Sequence, residues 1–440
     1  MIEYIPRTAE EEQQMLSAIG VSSFDALLDI PEALRLRRPL NLPEPLSQME
    51  LWRHMETLAH RNQGGLSFLG AGSYDHYIPS PVRHVLSRSE FATAYTPYQA
   101  EMSQGLLQTI YEYQTMICRL TGMQVANASV YDGASALAEA ALMTLRITGR
   151  KEILILGSVH PHHLQVVETY LSGLDDTACI LIPHERGHAK RENLKQHIST
   201  RTAAVLVQHP NFFGQLEDLQ NIESLTHAQG AMLVMSVNPI SLGIIKSPGE
   251  YGADIAVGEG QGMGNPISYG GPYVGFFATR RDWIRQVPGR LVARTIDTHG
   301  KPGFCLTLQT REQHIRREKA TSNICTNQAL NALASAVYLA TVGKEGLQEV
   351  ARLCFDQAHR MFSQMMAKPG YQAPFSRPFF NEFVIQPPTP VSDLLARLEQ
   401  AGIFGGIDLG HYDASLANHL LVCVTEKHTQ EDIDRFLACL

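Results

Sequence analysis

The amino-acid sequence predicts an α/β protein: a large doubly wound domain followed by a smaller C-terminal α/β domain. Three observations carry this expectation. Short apolar runs alternate with amphipathic helical segments from about residue 100 to residue 280. Several runs are apolar at every position rather than every second one, as strands of a parallel sheet covered on both faces must be. Beyond residue 310 a long helical region leads into a shorter strand–helix–strand pattern.

Bulk properties narrow the class. The 440 residues suffice for more than one domain, and 44% apolar with 18% charged residues is the balance of an ordinary folded protein. A net charge of −8 argues against nucleic acid or an acidic membrane surface as partner, since both require clustered Lys and Arg. Met1-Ile-Glu-Tyr-Ile-Pro-Arg7 lacks the basic-then-apolar order of a secretory signal. No apolar run of about 18 residues is present to span a bilayer. The seven cysteines are odd in number, scattered and never spaced Cys-x-x-Cys, which reads as free thiols in a reducing cytoplasm. Cys439-Leu440 leaves no room for a prenylation box.

In chain order, residues 1–65 alternate amphipathic patches with proline-rich breaks and read as an arm that wraps a body or a partner. Residues 66–310 hold the large domain. Gln104–Thr121 is a helix by its periodicity, and Asp132-Gly-Ala-Ser135 opens an alanine-rich helix through Ile147. Glu152–Leu156, Ala204–Gln208, Ala231–Val237, Asp254–Val257 and Tyr273–Ala278 read as strands, with helices at His163–Leu174 and Leu216–Gln229. Residues 311–440 comprise helices at Ile324–Val342 and Leu347–Ala367, then strand Glu382–Ile385, helix Ser392–Gln400 and strand Leu420–Val424. A last helix starts at Thr429, with Asp432 placed for a capping box.

Five features could carry chemistry. Asp132–Ser135 presents helix N-terminal amides that Gly133 leaves unobstructed, an anion site or else a plain tight turn. In Ser158-Val-His-Pro-His-His163 no carboxylate or cysteine lies at ligand spacing, so no metal is expected. His160 could lie over a flat cofactor at the sheet edge, or the group could be surface histidines. The third feature is an absence. A doubly wound fold using pyridoxal phosphate needs a lysine beyond a late strand for the Schiff base and a carboxylate on a central strand for the pyridinium nitrogen. Here the central strand offers Ser236, and Gly258-Glu-Gly-Gln-Gly-Met-Gly-Asn-Pro266 contains no lysine. The amide of Gln261 cannot form an imine. The fourth feature, Tyr95–Gln104, sets Tyr95, Tyr98, Glu101 and Gln104 around a proline-fixed turn, either as pocket lining or as a buried turn with local hydrogen bonds. In the fifth, Thr310–Cys325, the charges of Arg316, Arg317 and Lys319 suit a solvated helix face. Thr321-Ser-Asn323 suits an N-cap or a phosphate contact.

Taken together, these segments resemble the glycine cleavage system P-protein, glycine dehydrogenase (decarboxylating), over nearly the whole chain. Tyr95–Gln104, Tyr251–Phe277 and Leu306–Asn327 carry the resemblance most specifically. The chain length and the missing lysine resemble the N-terminal subunit of the split bacterial form. The resemblance implies a fold-type-I pyridoxal-phosphate transferase architecture, like that of aspartate aminotransferase. In the catalytic half of that family a His-Lys pair is followed, five residues after the lysine, by Pro and then a glycine-rich turn. Pro266 and Gly270-Gly-Pro272 match here, and the lysine position falls on Gln261. The position of the pyridinium-binding Asp falls on Ser236.

The implied expectations follow from the family's interface active sites. Pyridoxal phosphate is held covalently by a partner, glycine dehydrogenase subunit 2, and not by this chain. Tyr95, Tyr98, Glu101 and Gln104 line the partner's pocket, and Thr321, Ser322 and Asn323 lie near the partner's cofactor phosphate. Gly133, Ser135, His160, Ser236 and Gln261 are relics of a cofactor site. Glycine is decarboxylated and its aminomethyl group passed to the lipoyl arm of the H-protein, by a cytoplasmic pair of heterodimers active only with both subunits. Two alternatives stand beside this: a scaffold subunit without catalytic part, and a self-sufficient enzyme using Lys246 or Lys319.

Overall fold

A computed structural model describes residues 7–62, 64–93, 95–324, 326–375 and 378–440. The chain divides into two compact units, Met1–Gln63 and Gly64–Leu440. In the first, helices α1 (Ala9–Ile19) and α2 (Gln48–Ala59) each begin with a capping box, Thr8 with Glu11 and Ser47 with Glu50. Between them Arg35 donates to the carbonyls of Leu28 and Ile30, and Arg37 pairs with Asp25 and Glu32. Among the described residues of this unit only Leu16 is buried, while Phe24, Leu34, Leu42 and Trp52 are exposed. Such a segment has caps but no core of its own.

The second unit is built on a seven-stranded sheet. Its elements in chain order are α3 (Gln104–Thr121), β1 (Val125–Ala126), α4 (Gly133–Thr148), β2 (Glu152–Leu156), α5 (Pro161–Leu171), β3 (Ala178–Ile182), β4 (Thr202–His209), α6 (Leu219–Ala228), β5 (Met232–Val237), β6 (Ile255–Glu259) and β7 (Gly275–Thr279). The strand order is β1-β7-β6-β5-β4-β2-β3. The all-apolar strands are explained by two cores. Leu154, Val205, Val207, Leu233 and Met235 face one, with residues of α3 and α6. Their neighbours Ile153, Ala204, Leu206 and Val234 face the other, with α4 and α5. A period-2 chain between two helical layers must be apolar at both phases.

A hairpin β8 (Leu291–Ile296) and β9 (Pro302–Thr307) follows, then a long helix α7 (Ala329–Met366) bent at Gly343, where φ is 62° and ψ −171°. The small sheet has β10 (Glu382–Ile385), β11 (Ile407–Asp408) and β12 (Leu420–Cys423), antiparallel throughout, in the order β10-β12-β11. Helices α8 (Val391–Gln400) and α9 (Gln430–Leu437) cover it, and α9 starts with the Thr429–Asp432 capping box.

Several expectations need correction. Tyr273–Ala278 supplies no parallel strand: β7 runs antiparallel to both β6 and β1. A buried strand is apolar on both faces whichever way it runs, so composition could not show its direction. The helix expected from His163 starts at Pro161 and stops at Leu171, because Pro suits the first helical turn. The helix face expected at Arg316, Arg317 and Lys319 is only a pair of single turns, Gln313–Arg316 and Arg317–Lys319, with Arg317 at φ 53°. Thr321–Asn323 is no N-cap either. The long helix begins five residues after Ile324, capped at Gln328, because Ile324 is drawn into the core beneath α4. Six cysteines carry free thiols, and Cys325 lies outside the described residues, as do Met1–Pro6. Among the described residues no helix is long and apolar enough to cross a membrane.

Candidate functional site

Parallel strands deliver their C-terminal ends to one edge, and that edge gathers the site. Gln261 follows β6, Ser236 lies near the end of β5, His160 follows β2, and Asp132 caps α4. A segment at residues 70–77 runs across them. Gln261 is buried and fully engaged: its Oε1 accepts from Tyr74 N (2.8 Å), and its Nε2 donates to the carbonyls of Tyr74 (3.0 Å) and Asn265 (2.8 Å). His160 Nδ1 accepts from His162 N (3.1 Å), which leaves the ring proton on Nε2, 2.9 Å from the Ala71 carbonyl. The imidazole stacks on His163 with centroids 4.8 Å apart.

The same segment binds the small sheet. Glu382 accepts from Ala71 N (2.7 Å) and Tyr74 Oη (2.8 Å), and burial pushes its carboxyl up to about 7 against those two bonds. Glu426 accepts from Tyr77 N and lies 2.7 Å from His76 Nδ1. Burial alone would raise the Glu426 carboxyl, but the His76 contact and the Tyr77 amide hold it at about 2. Cys354 Sγ donates to the same carboxylate at 3.3 Å.

At the helix N-terminus the sequence left a choice between anion site and turn. Ser135 N donates to Asp132 Oδ1 (2.7 Å), an ordinary cap. Gly133 N donates to Glu259 Oε2 (2.9 Å). The other oxygen of Glu259 accepts from Gln261 N (3.0 Å) and Val274 N (3.2 Å). Burial raises this carboxyl to about 8, with the three amides opposing. Glu259 was not singled out from the sequence, because its partner Gly133 lies 126 positions away.

Tyr95 and Tyr98 are 76% and 63% exposed and Glu101 is exposed, while Pro97 between the two tyrosines is buried. Tyr98 accepts from the buried Arg290 (3.1 Å), whose guanidinium also lies 5.2 Å from the Tyr98 ring. Arg290 in turn faces Glu312 at 3.7 Å. Gln104 points inward, bonded to Phe304 N and O, both at 2.8 Å, and so joins α3 to β9. Ser322 donates to Glu139 (2.8 Å) on α4, Thr321 is half-buried and Asn323 exposed. Lys246 and Lys319 are exposed. A cleft of about 660 Å³ lies between α3 and the bend of α7 and shares none of these residues.

The residues present do not fit a covalently held pyridoxal phosphate. Gln261 offers an amide already saturated by backbone, Ser236 offers no charge for a pyridinium, and a carboxyl group sits at the helix N-terminus.

The buried histidines give a pH prediction. Burial lowers His160 to about 3, and His163 and His209 to about 4. These folded values lie below the ordinary 6.5, so each ring contributes stability above pH 6.5 that is lost as pH falls. The loss is roughly 2 kcal/mol per ring at pH 5. The raised carboxyls of Glu259 and Glu382 act in the opposite sense over the same interval, so the test is the difference between two proteins. In denaturant unfolding at pH 7.5 and pH 5, His163→Gln should lose roughly 2 kcal/mol less than the wild type on acidification. An unchanged pH slope in that variant would contradict the assignment.

A family model described as glycine cleavage system P-protein matches residues 2–440. The chain is 53% identical over 443 residues to the probable glycine dehydrogenase (decarboxylating) subunit 1 of Carboxydothermus hydrogenoformans, covering 100% of this chain and 99% of that one. It is 52% identical over 443 residues to the protein of the same name from Desulforamulus reducens, with the same coverage. A crystal structure of glycine decarboxylase (P-protein) in inhibitor-bound form superposes with a TM-score of 0.91 at 42% identity, covering 100% of both chains. A sphingosine-1-phosphate lyase from Burkholderia pseudomallei superposes at 0.65 with 13% identity, covering 93% of this chain and 94% of that one, a likeness of fold alone. The architecture is that of fold-type-I pyridoxal-phosphate transferases.

Proposed function

The chain belongs to the glycine cleavage system P-protein family, and from that premise we propose that it completes the active site of a second, pyridoxal-phosphate-carrying subunit. The observation that carries this reading is Gln261, a buried amide bonded to three backbone groups where the catalytic half of the family has its lysine. The relatives are named subunit 1, which implies a subunit 2. Glycine loses its carboxyl group, and the aminomethyl remainder passes to the lipoyl arm of the H-protein. The partner's cofactor supplies the electron sink for the carbanion.

This chain's residues shape and position. Tyr95, Tyr98 and Glu101 stand exposed on a rigid turn and line the partner's pocket. Arg290 fixes Tyr98 from below, and Gln104 holds the turn's helix to β9. Thr321 and Asn323 face the partner's phosphate, while Ser322 anchors them to Glu139. The first unit, with its exposed apolar side chains, binds along the partner. The assembly is a cytoplasmic pair of heterodimers, and neither subunit decarboxylates glycine alone.

Mixing tests the reading. The partner alone should exchange the glycine carboxyl carbon with bicarbonate at a small fraction of the rate of the mixture; full exchange without this chain would sink the proposal. Tyr98→Ala should lower exchange by roughly 10- to 100-fold, the size of a lost positioning contact, with the assembly intact by gel filtration. Unchanged exchange in that variant, and in Thr321→Ala, would favour a scaffold subunit instead.

A further inference from the structure

A fold that ordinarily closes around a phosphate needs something in its place when the phosphate is absent. Backbone N–H groups converging at a helix N-terminus carry partial positive charge, and leaving them buried without acceptors is costly. Here the convergence point is filled from within. Glu259 is buried, and each hydrogen bond to its carboxyl group comes from a backbone N–H, those of Gly133, Gln261 and Val274. These three amides belong to three different segments: the start of α4, the loop after β6 and the residue before β7.

We infer that Glu259 is a built-in substitute for the cofactor phosphate, occupying the cradle at the start of α4 so that this chain keeps a fold-type-I architecture without binding pyridoxal phosphate or another phosphate ester. Gly133 supports this independently. A Cβ at that position would come within 2.9 Å of Glu259 N and 3.0 Å of Glu259 Cβ. The glycine therefore makes room for the glutamate backbone, and the space a phosphate would use is taken. Gln261 and the 70–77 segment close the adjoining space, through Tyr74 on Gln261 and Ala71 on His160. The inference rests on the reading that this chain holds no cofactor, and extends it by naming what replaced the ligand.

The test uses the purified full chain and its melting midpoint, with inorganic phosphate or pyridoxal phosphate added and potassium chloride at matched ionic strength as control. The wild-type midpoint should move by no more than about 1 °C. Glu259→Ala should melt on the order of 5 °C lower, and phosphate should restore half or more of the loss. Glu259→Asp withdraws the carboxyl by one methylene, keeps the functional group and should show a smaller loss with partial phosphate rescue. It decides the matter should the alanine variant fail to fold. Phosphate stabilising the wild type as strongly as the variants would show the cradle to be open and overturn the inference. So would a folded variant with wild-type stability and no phosphate response. A partner fully active alone would refute the borrowed-site reading and leave these shifts unaltered, so the two failures are distinguishable.

Discussion

A chain shortened to residues 64–440 is expected to fold and to lose its partner. The removed unit buries a single described residue, Leu16, and exposes Phe24, Leu34, Leu40, Leu42, Trp52 and Met55. Burying six such side chains contributes on the order of 10 kcal/mol before the costs of association. Even a third of that surplus corresponds to an affinity loss of about 100- to 1,000-fold. Titration of the truncated chain against subunit 2 by ultracentrifugation should therefore show free components at micromolar concentration, and glycine–bicarbonate exchange should fall with the complex. Retention of the full-length affinity would mean that the arm has another role.

Gly214→Ala should cost about 4 kcal/mol or more of stability, a value outside the ordinary range for a surface turn. Gly214 sits at φ 79°, and a Cβ there would lie 1.9 Å from the Glu382 carbonyl oxygen and 2.5 Å from its carbon. Both are backbone atoms of β10, so no side chain can swing away. The same turn is pinned by Gly214 N to Asn211 O (2.9 Å) and Phe380 N to Gly214 O (3.0 Å). The variant must move either the loop after β4 or the strand itself, and with the strand goes the Glu382 carboxylate that holds Ala71 and Tyr74. Urea unfolding measures the loss. A change under 1 kcal/mol would show that the two segments can separate freely.

Much of this was legible in the sequence because it depends on local order. The helices Gln104–Thr121 and Val391–Gln400, the strands β2 and β10, and the Thr429 cap follow from periodicity and cap chemistry within a few residues. The missing lysine was legible for the same reason. The antiparallel sense of β7 was not, since direction in a buried strand leaves no trace in composition. The edge strand β3 and the hairpin β8–β9 escaped notice because their faces are only partly buried. Glu259, Glu382 and Glu426 were hidden because each is defined by groups far along the chain: Gly133, Ala71 with Tyr74, and His76. As isolated carboxylates in the sequence they are indistinguishable from surface charge.

The crossing of residues 70–77 over the sheet edge has a consequence for motion. Swinging the C-terminal lobe outward would sever the links on one side of this strap or the other. The sheet side comprises His160 with the Ala71 carbonyl, Ser73 with the Tyr273 hydroxyl and the reciprocal pair between Tyr74 and Gln261. Four half-buried links at about 1 kcal/mol each hold the open form to well under about 1% of molecules. The C-terminal lobe is thus held against the sheet edge in nearly all molecules.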